Sequence, residues 1–356
     1  MKNKLLTTTA IAGLLISGAA VAQTTVSGNL DLTYKAITNK STKANSARGF
    51  GKETQINIAN KGKLNNGIDY VAGFSIEHDG AESGSNVSNG TTSGTAMFNE
   101  NVYIDFIMGS TTLTIGADHI QNPDFEATNI TGMADLDEII SGVKTANPAA
   151  INNIGSPYSS FGLGLVQDIG VGKFSVYYAP SQAAIAGDSH GGFSTFSSYV
   201  DGSNSTYEVG FRGSLGVKGL DASLFYNSTD SNDRSTNSNS ADNYKAQAKY
   251  TIDAVTAAVS FADQETNTTA ATTTKKTKAA ALGYALNKDV TVSIGRAITD
   301  SGVAATSSFD EEITAITVGY NLGPVAAGLS VGKVDNYGNA SDSNGKTAQF
   351  TLSTKF

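Results

Sequence analysis

Hydrophobic and polar residues alternate with a period of two along almost the whole chain, and the alternation is held to the last residue. In the final segment Ala348, Phe350, Leu352, Thr354 and Phe356 share one phase. Thr347, Gln349, Thr351, Ser353 and Lys355 share the other. Successive strand residues point to opposite faces, so this pattern predicts a strand between an apolar and a polar environment. A strand that ends the chain with an aromatic side chain needs a pairing partner and a cover for its apolar face.

The same texture recurs from residue 24 onward. Val26, Leu30, Leu32 and Tyr34 alternate with Ser27, Asn29, Asp31, Thr33 and Lys35. Ile68, Tyr70, Ala72, Phe74 and Ile76 alternate with Asp69, Gly73, Ser75 and Glu77. Comparable runs include Phe174–Tyr178, Tyr207–Phe211, Tyr244–Tyr250, Val290–Ile294 and Ile316–Leu322. Between them fall turn signals such as Asn65-Asn66-Gly67, Gly109-Ser110, Asn287-Lys288-Asp289 and Gly323-Pro324. Sixteen strands are predicted, joined by fifteen connections of two alternating kinds. Seven are short turns, and eight are long and polar, at 37–52, 78–98, 119–157, 180–205, 227–241, 262–276, 298–311 and 333–345.

This alternation places every long connection at one end of the sheet. Nearly every strand is apolar on one face, yet the sequence predicts no helix layer to cover it. A soluble sandwich would instead interdigitate its large apolar residues in a shared core. About ten residues per strand suits a tilted bilayer crossing. Tyr34, Tyr70, Tyr178, Tyr226, Tyr250, Tyr284 and Tyr320 lie on the apolar phase, where interfacial aromatic girdles would stand. The predicted fold is all-β: a 16-stranded antiparallel transmembrane β-barrel, wide enough for an aqueous lumen.

Residues 1–22 read as a cleaved secretory signal. Lys2 and Lys4 precede the apolar run Leu5–Ile16, and Ala20-Val21-Ala22 is a small-x-small site, so cleavage falls between Ala22 and Gln23. Removing 22 of the 356 residues leaves 334, read as a single barrel domain, 23–356. The chain has no cysteine, which excludes a disulfide framework. Its 24 basic and 32 acidic residues give a net charge of −8, which argues against nucleic acid as a partner.

Three segments carry a family resemblance. They are the first strand Thr24-Thr25-Val26-Ser27-Gly28-Asn29-Leu30-Asp31 behind a signal, Thr112-Leu113-Thr114-Ile115-Gly116 before a long third connection, and the Phe356 terminus. With these the chain resembles the general porins of Gram-negative outer membranes. The resemblance implies location in the outer membrane, contact with its lipid, and a homotrimer of barrels. It implies a third loop folded inward to narrow each pore, and passive diffusion of small hydrophilic solutes and ions. It also makes Phe356 a signal read by the outer-membrane barrel assembly machinery.

By the same resemblance, Asp118, Asp124, Glu126, Asp135, Asp137 and Glu138 become candidates for the acidic side of the constriction, with a short helical turn over Ala134–Val143. The opposing basic wall would be drawn from Lys35, Arg212, Lys245 and Lys249. The chain has only four arginines, so the arginine ladder expected of the family is absent. Arg296 shares the phase of Val292 and Ile294, and reaches the lumen only if a bulge intervenes. Carboxylates on the lumen phase (Asp31, Asp69, Glu77, Asp105, Glu208) at least match the cations, which points to weak cation selectivity. No cofactor, metal or enzymatic activity is expected: His78, His119 and His190 lack metal-ligand spacing, and no nucleophile or phosphate motif occurs. A substrate-specific channel on the same barrel and a secreted β-rich adhesin are the alternatives. The adhesin would require a fixed short repeat, which the sequence lacks.

Overall fold

The computed structural model describes residues 23–39, 47–81, 98–117, 126–133, 162–179, 205–230, 240–267, 272–300, 309–336, 341 and 344–356. Sixteen strands run in chain order: β1 (Gln23–Asn39), β2 (Ala47–Lys63), β3 (Asp69–Ala81), β4 (Phe98–Met108), β5 (Thr111–Ala117), β6 (Gly162–Asp168), β7 (Gly172–Ala179), β8 (Ser205–Gly213), β9 (Leu220–Asp230), β10 (Ser240–Ile252), β11 (Val255–Asn267), β12 (Thr272–Ala285), β13 (Val290–Thr299), β14 (Glu311–Asn321), β15 (Val325–Asp335) and β16 (Gly345–Lys355). Each pairs antiparallel with its neighbours, and β1 pairs with β16, so the sheet closes into a barrel. Closure leaves no unpaired edge, which lipid requires because an unsatisfied backbone group there costs several kcal/mol.

The barrel is apolar outside and polar inside, as the alternation predicts. Leu282, Ile294, Ile316, Leu329 and Phe350 point outward and are exposed, while Ser293, Thr317, Ser330, Gln349 and Thr33 point inward and are buried. Tyrosines form two outer belts. Tyr70, Tyr250, Tyr284 and Tyr320 lie near the short turns, and Tyr34, Tyr178, Tyr207, Tyr226 and Tyr244 lie toward the other end. In the upper belt Tyr226 stacks on Tyr244 with ring centroids 4.7 Å apart and shares a hydroxyl contact with Tyr207. Its hydroxyl also donates to Asp242 at 2.9 Å.

Strand ends depart from the sequence reading in one direction. Two of the connections expected to be long are short: the one read at 37–52 covers only 40–46, and the one at 262–276 only 268–271. The ladder there continues past the apolar residues, through Asn267↔Thr272 and Ile37↔Ala47. Beyond the membrane both faces of a strand meet water, so the alternation stops while the hydrogen bonds go on. A second departure is a bulge in β4. Register slips between Gly73 and Ser75 where Asn101 adopts φ 50, and its amide donates to Ser75 Oγ at 2.9 Å.

Candidate pore constriction

The segment Glu126–Met133, from the connection between β5 and β6, lies inside the barrel. Ala127 is fully buried, and Thr128 and Met133 nearly so. The segment rests on the inner wall between β10 and β15. The Ala127 N–H donates to Gln247 Oε1 at 3.1 Å, and Thr131 Oγ1 donates to Thr317 Oγ1 at 3.3 Å. Asn129 holds the local turn by exchanging hydrogen bonds with Met133: its amide donates to the carbonyl, and its Oδ1 accepts from the N–H.

The wall makes room through small residues. Ala258 on β11 packs with Ala127 and Ile130. A Cβ placed on Gly283 would lie 2.5 Å from Ile130 Cγ2, one on Gly319 2.6 Å from the Thr131 carbonyl oxygen, and one on Gly328 2.2 Å from Met133 Cγ. Three glycines on three different strands therefore form a cradle whose depth sets where the loop runs. The inward phase of these strands carries Ala279, Ala281 and Gly283 on β12 against Leu282 and Tyr284 outside. That run of small residues was legible in the sequence, but not which part of the inward-folded third loop it receives. Gln247, Thr317 and the cradle glycines were not anticipated as site residues.

The charged walls stand opposite one another. Asp31 on β1, Glu53 on β2, Glu77 on β3 and Asp105 on β4 all lie on the inward phase, with Asp31 directly opposite Glu53. Asn29 donates to Asp31, Gln55 to Glu77, and Thr114 to Asp105, so neutral donors hold these carboxylates in place. Eight strands away on a barrel of sixteen, β10 carries Lys245 and Lys249 on either side of Gln247. Next to it Arg212 on β8 grips Asp221 on β9 with two hydrogen bonds, of 3.1 and 2.9 Å, and Lys249 is directly opposite the same Asp221. Asp221 thus lies between two cations, and the β8–β10 wall keeps a basic excess.

The sequence candidates sort as follows. Lys35, Arg212, Lys245 and Lys249 all face inward, with Lys35 and Lys245 buried at 2% and 3% exposure. Glu126 lies within the barrel, beside Asn129 and one residue from the Gln247 anchor. Asp118, Asp124, Asp135, Asp137 and Glu138, and the turn expected over 134–143, fall outside the described residues. Arg296 points outward without any bulge in β13 and pairs with Glu312, so it takes no part in the lumen. No helix among the described residues is long and apolar enough to cross a membrane; the strands do so instead.

The sequence pattern that defines Gram-negative porins matches residues 7–339. Among solved structures, the anion-selective porin of Comamonas acidovorans superposes with a TM-score of 0.65 at 11% identity, over 94% of this chain and 100% of that one. The in-vitro folded trimer form of OmpT, an outer membrane protein of Vibrio cholerae, gives 0.58 at 11% identity, over 94% and 99%. A triple mutant of the Rhodopseudomonas blastica porin gives 0.58 at 13%, over 93% and 100%. At these identities the likeness extends to the fold. No curated protein matches the chain by sequence.

Proposed function

Because the chain belongs to the Gram-negative porin family, and so forms a channel in the outer membrane, we propose that it passes small hydrophilic solutes and ions by passive diffusion, with weak preference for cations. The observation that carries this reading is the docked segment Glu126–Met133, which narrows a lumen whose walls bear opposite charge. A polar constriction between an acidic and a basic wall orients and slows solutes by field, with no binding chemistry required.

The sign of the selectivity rests on a small difference. Asp31, Glu53, Glu77 and Asp105, with Lys35 among them, face Lys245, Lys249 and the neutral Arg212–Asp221 pair, with Glu208 among them, so the walls carry a small acidic excess. The third connection adds to it: from Asp118 to Lys144 it carries six carboxylates and one lysine. At 11% identity, the anion preference of the Comamonas protein does not carry over. In a planar bilayer under a potassium chloride gradient, the reversal potential is expected to have the sign for cation preference and to stay well short of the ideal Nernst value. A reversal potential of anionic sign would overturn the assignment.

The mature protein is proposed to begin at Gln23 and to assemble as a homotrimer. Two observations support this: Ala20-Val21-Ala22 is a small-x-small site directly before Gln23, and OmpT, a protein of the same fold, has a trimer form. Native mass spectrometry of protein extracted from outer membranes tests both points. Three copies of a chain lacking residues 1–22 are expected; a retained leader or a single copy would contradict them.

A further inference from the structure

Among the described side chains, charge on the lumen wall changes sign along the barrel axis. Toward the long connections, Asp31, Glu53, Glu77, Glu208 and Glu311 point inward from the strands, and Glu126 lies on the docked segment. The inward cations at that level are Lys35, Lys245 and Lys275, so this zone carries 3 − 6 = −3. Toward the short turns the balance reverses. Lys61 and Lys63 on β2, Lys173 on β7, Arg212 on β8, Lys249 on β10 and Lys355 on β16 are on the inward phase. Asp69, Asp105, Asp168 and Asp221 stand among them, which gives 6 − 4 = +2. The turns add Lys218 and Lys288 against Asp253 and Asp289, which cancel. Each residue of the lower zone lies within three residues of its strand's end on the short-turn side, and each strand residue of the upper zone lies five or more from it.

Two ion pairs neutralise part of the lower zone: Lys63 with Asp69 at 2.7 Å and Arg212 with Asp221 at 2.9 Å. Lys61 and Lys173 are exposed and make no ion pair among the described residues. Lys173 is directly opposite Arg212, a like-charge pairing that costs strand stability. Asp168 is opposite it on the other side, with its carboxylate accepting the Gly170 N–H at 2.8 Å in the turn. Fixed charge of one sign admits its counterion and holds back the other ion. With the long-connection side positive, cations enter past the carboxylates and anions enter past the lysines, so both fill the lumen between. With the polarity reversed, each ion must first cross the zone of its own sign, and the lumen is depleted of carriers.

We infer that the pore rectifies, passing more current when the side of the long connections is positive. The inference rests on the lumen being the diffusion path. Ion selectivity follows the sum of the two zones, whereas rectification follows their difference. The test is single-channel recording of the assembled protein in a planar bilayer. Asn65→Cys in the exposed β2–β3 turn gives the chain its only thiol, and a thiol reagent too large to pass the pore, added to one chamber, reports which way each channel faces. In potassium chloride at about 0.1 M, where the screening length is about 10 Å, the forward current is expected to exceed the reverse by about 1.5-fold. At about 1 M the length falls to about 3 Å and the ratio should approach one. Lys61→Glu/Lys173→Glu takes the lower zone from +2 to 2 − 4 = −2, the sign of the upper one. That variant should lose rectification and show a reversal potential shifted further toward cations, with normal heat-modifiable mobility. Lys61→Arg/Lys173→Arg should keep the unaltered ratio. Symmetric current in the unaltered protein at low salt, rectification of the opposite direction, or a ratio that survives either high salt or the double glutamate substitution would overturn the inference. Absence of any conductance would overturn the channel reading beneath it.

Discussion

Deleting Phe356 is expected to lower the yield of inserted barrel on the order of tenfold while leaving the conductance of the survivors unchanged. The terminal residue makes the last rung of the seam. Its N–H donates to the Gly28 carbonyl at 3.0 Å, and its carbonyl accepts from the Gly28 N–H at 2.9 Å. Each such bond contributes about 1 kcal/mol net in water, and the unpaired groups left behind in lipid cost several more. Tenfold in yield corresponds to about 1.4 kcal/mol, so losing the rung is sufficient. The side chain adds a second constraint. The Phe356 ring lies over Gly28 so closely that a Cβ there would sit 2.5 Å from a ring carbon, and 2.5 Å from the immobile Gln55 carbonyl oxygen. Gly28→Val is therefore expected to reproduce much of the deletion with the terminus intact. Phe356→Ala keeps the rung and removes only the ring, which separates backbone closure from the signal role that the family resemblance implies for the aromatic. Heat-modifiable gel mobility reads the folded fraction. Normal assembly of both the deletion and Gly28→Val, with an altered pore, would show that the terminus serves the lumen and not the seam.

The barrel was legible in the sequence because lipid enforces its rule at every strand. Leu329, Val331 and Phe350 have to face hydrocarbon, so their phase is written residue by residue and fixes both strand and facing. The rule lapses where lipid ends. Gln264–Asn267 and Thr272–Lys276 pair as strands with polar residues on both faces, and nothing in their hydropathy distinguishes them from a loop. Lys35, Arg212, Lys245 and Lys249 lie on the inward phase, each between neighbours that point outward. Their grouping was not readable. That β1–β4 carry most of the wall carboxylates and β8–β10 most of the cations matters only once closure of the barrel sets the two walls face to face, and closure is a long-range property. Arg296 shows the same limit from the other side: its phase placed it outside, and only the register against Thr314 and Glu312 explains how the charge is satisfied there.

The inward course of the third loop was expected only from the family resemblance; its anchors were not readable, because they lie on strands remote from it in sequence, and that makes its cradle the place to intervene. Gly328→Leu is expected to lower single-channel conductance by about a factor of two while leaving the barrel folded, since a branched side chain where a Cβ already meets Met133 Cγ wedges the segment off the wall and toward the pore axis. Adding Met133→Ala removes the atoms that clash and should return conductance most of the way, a coupling that two independent sites would not show. Gly319→Val is the more severe test. Its Cβ meets the Thr131 carbonyl oxygen at 2.6 Å, and backbone cannot step aside as a methionine side chain can. Gln247→Ala works at the other end of the segment by removing the acceptor for the Ala127 N–H. It should loosen the segment at that end, and appear as added current noise with little change in mean conductance. Wild-type conductance and noise in Gly328→Leu, Gly319→Val and Gln247→Ala alike, with normal heat-modifiable mobility, would mean that the docked segment does not bound the conducting path. The narrowing would then lie elsewhere along the third connection.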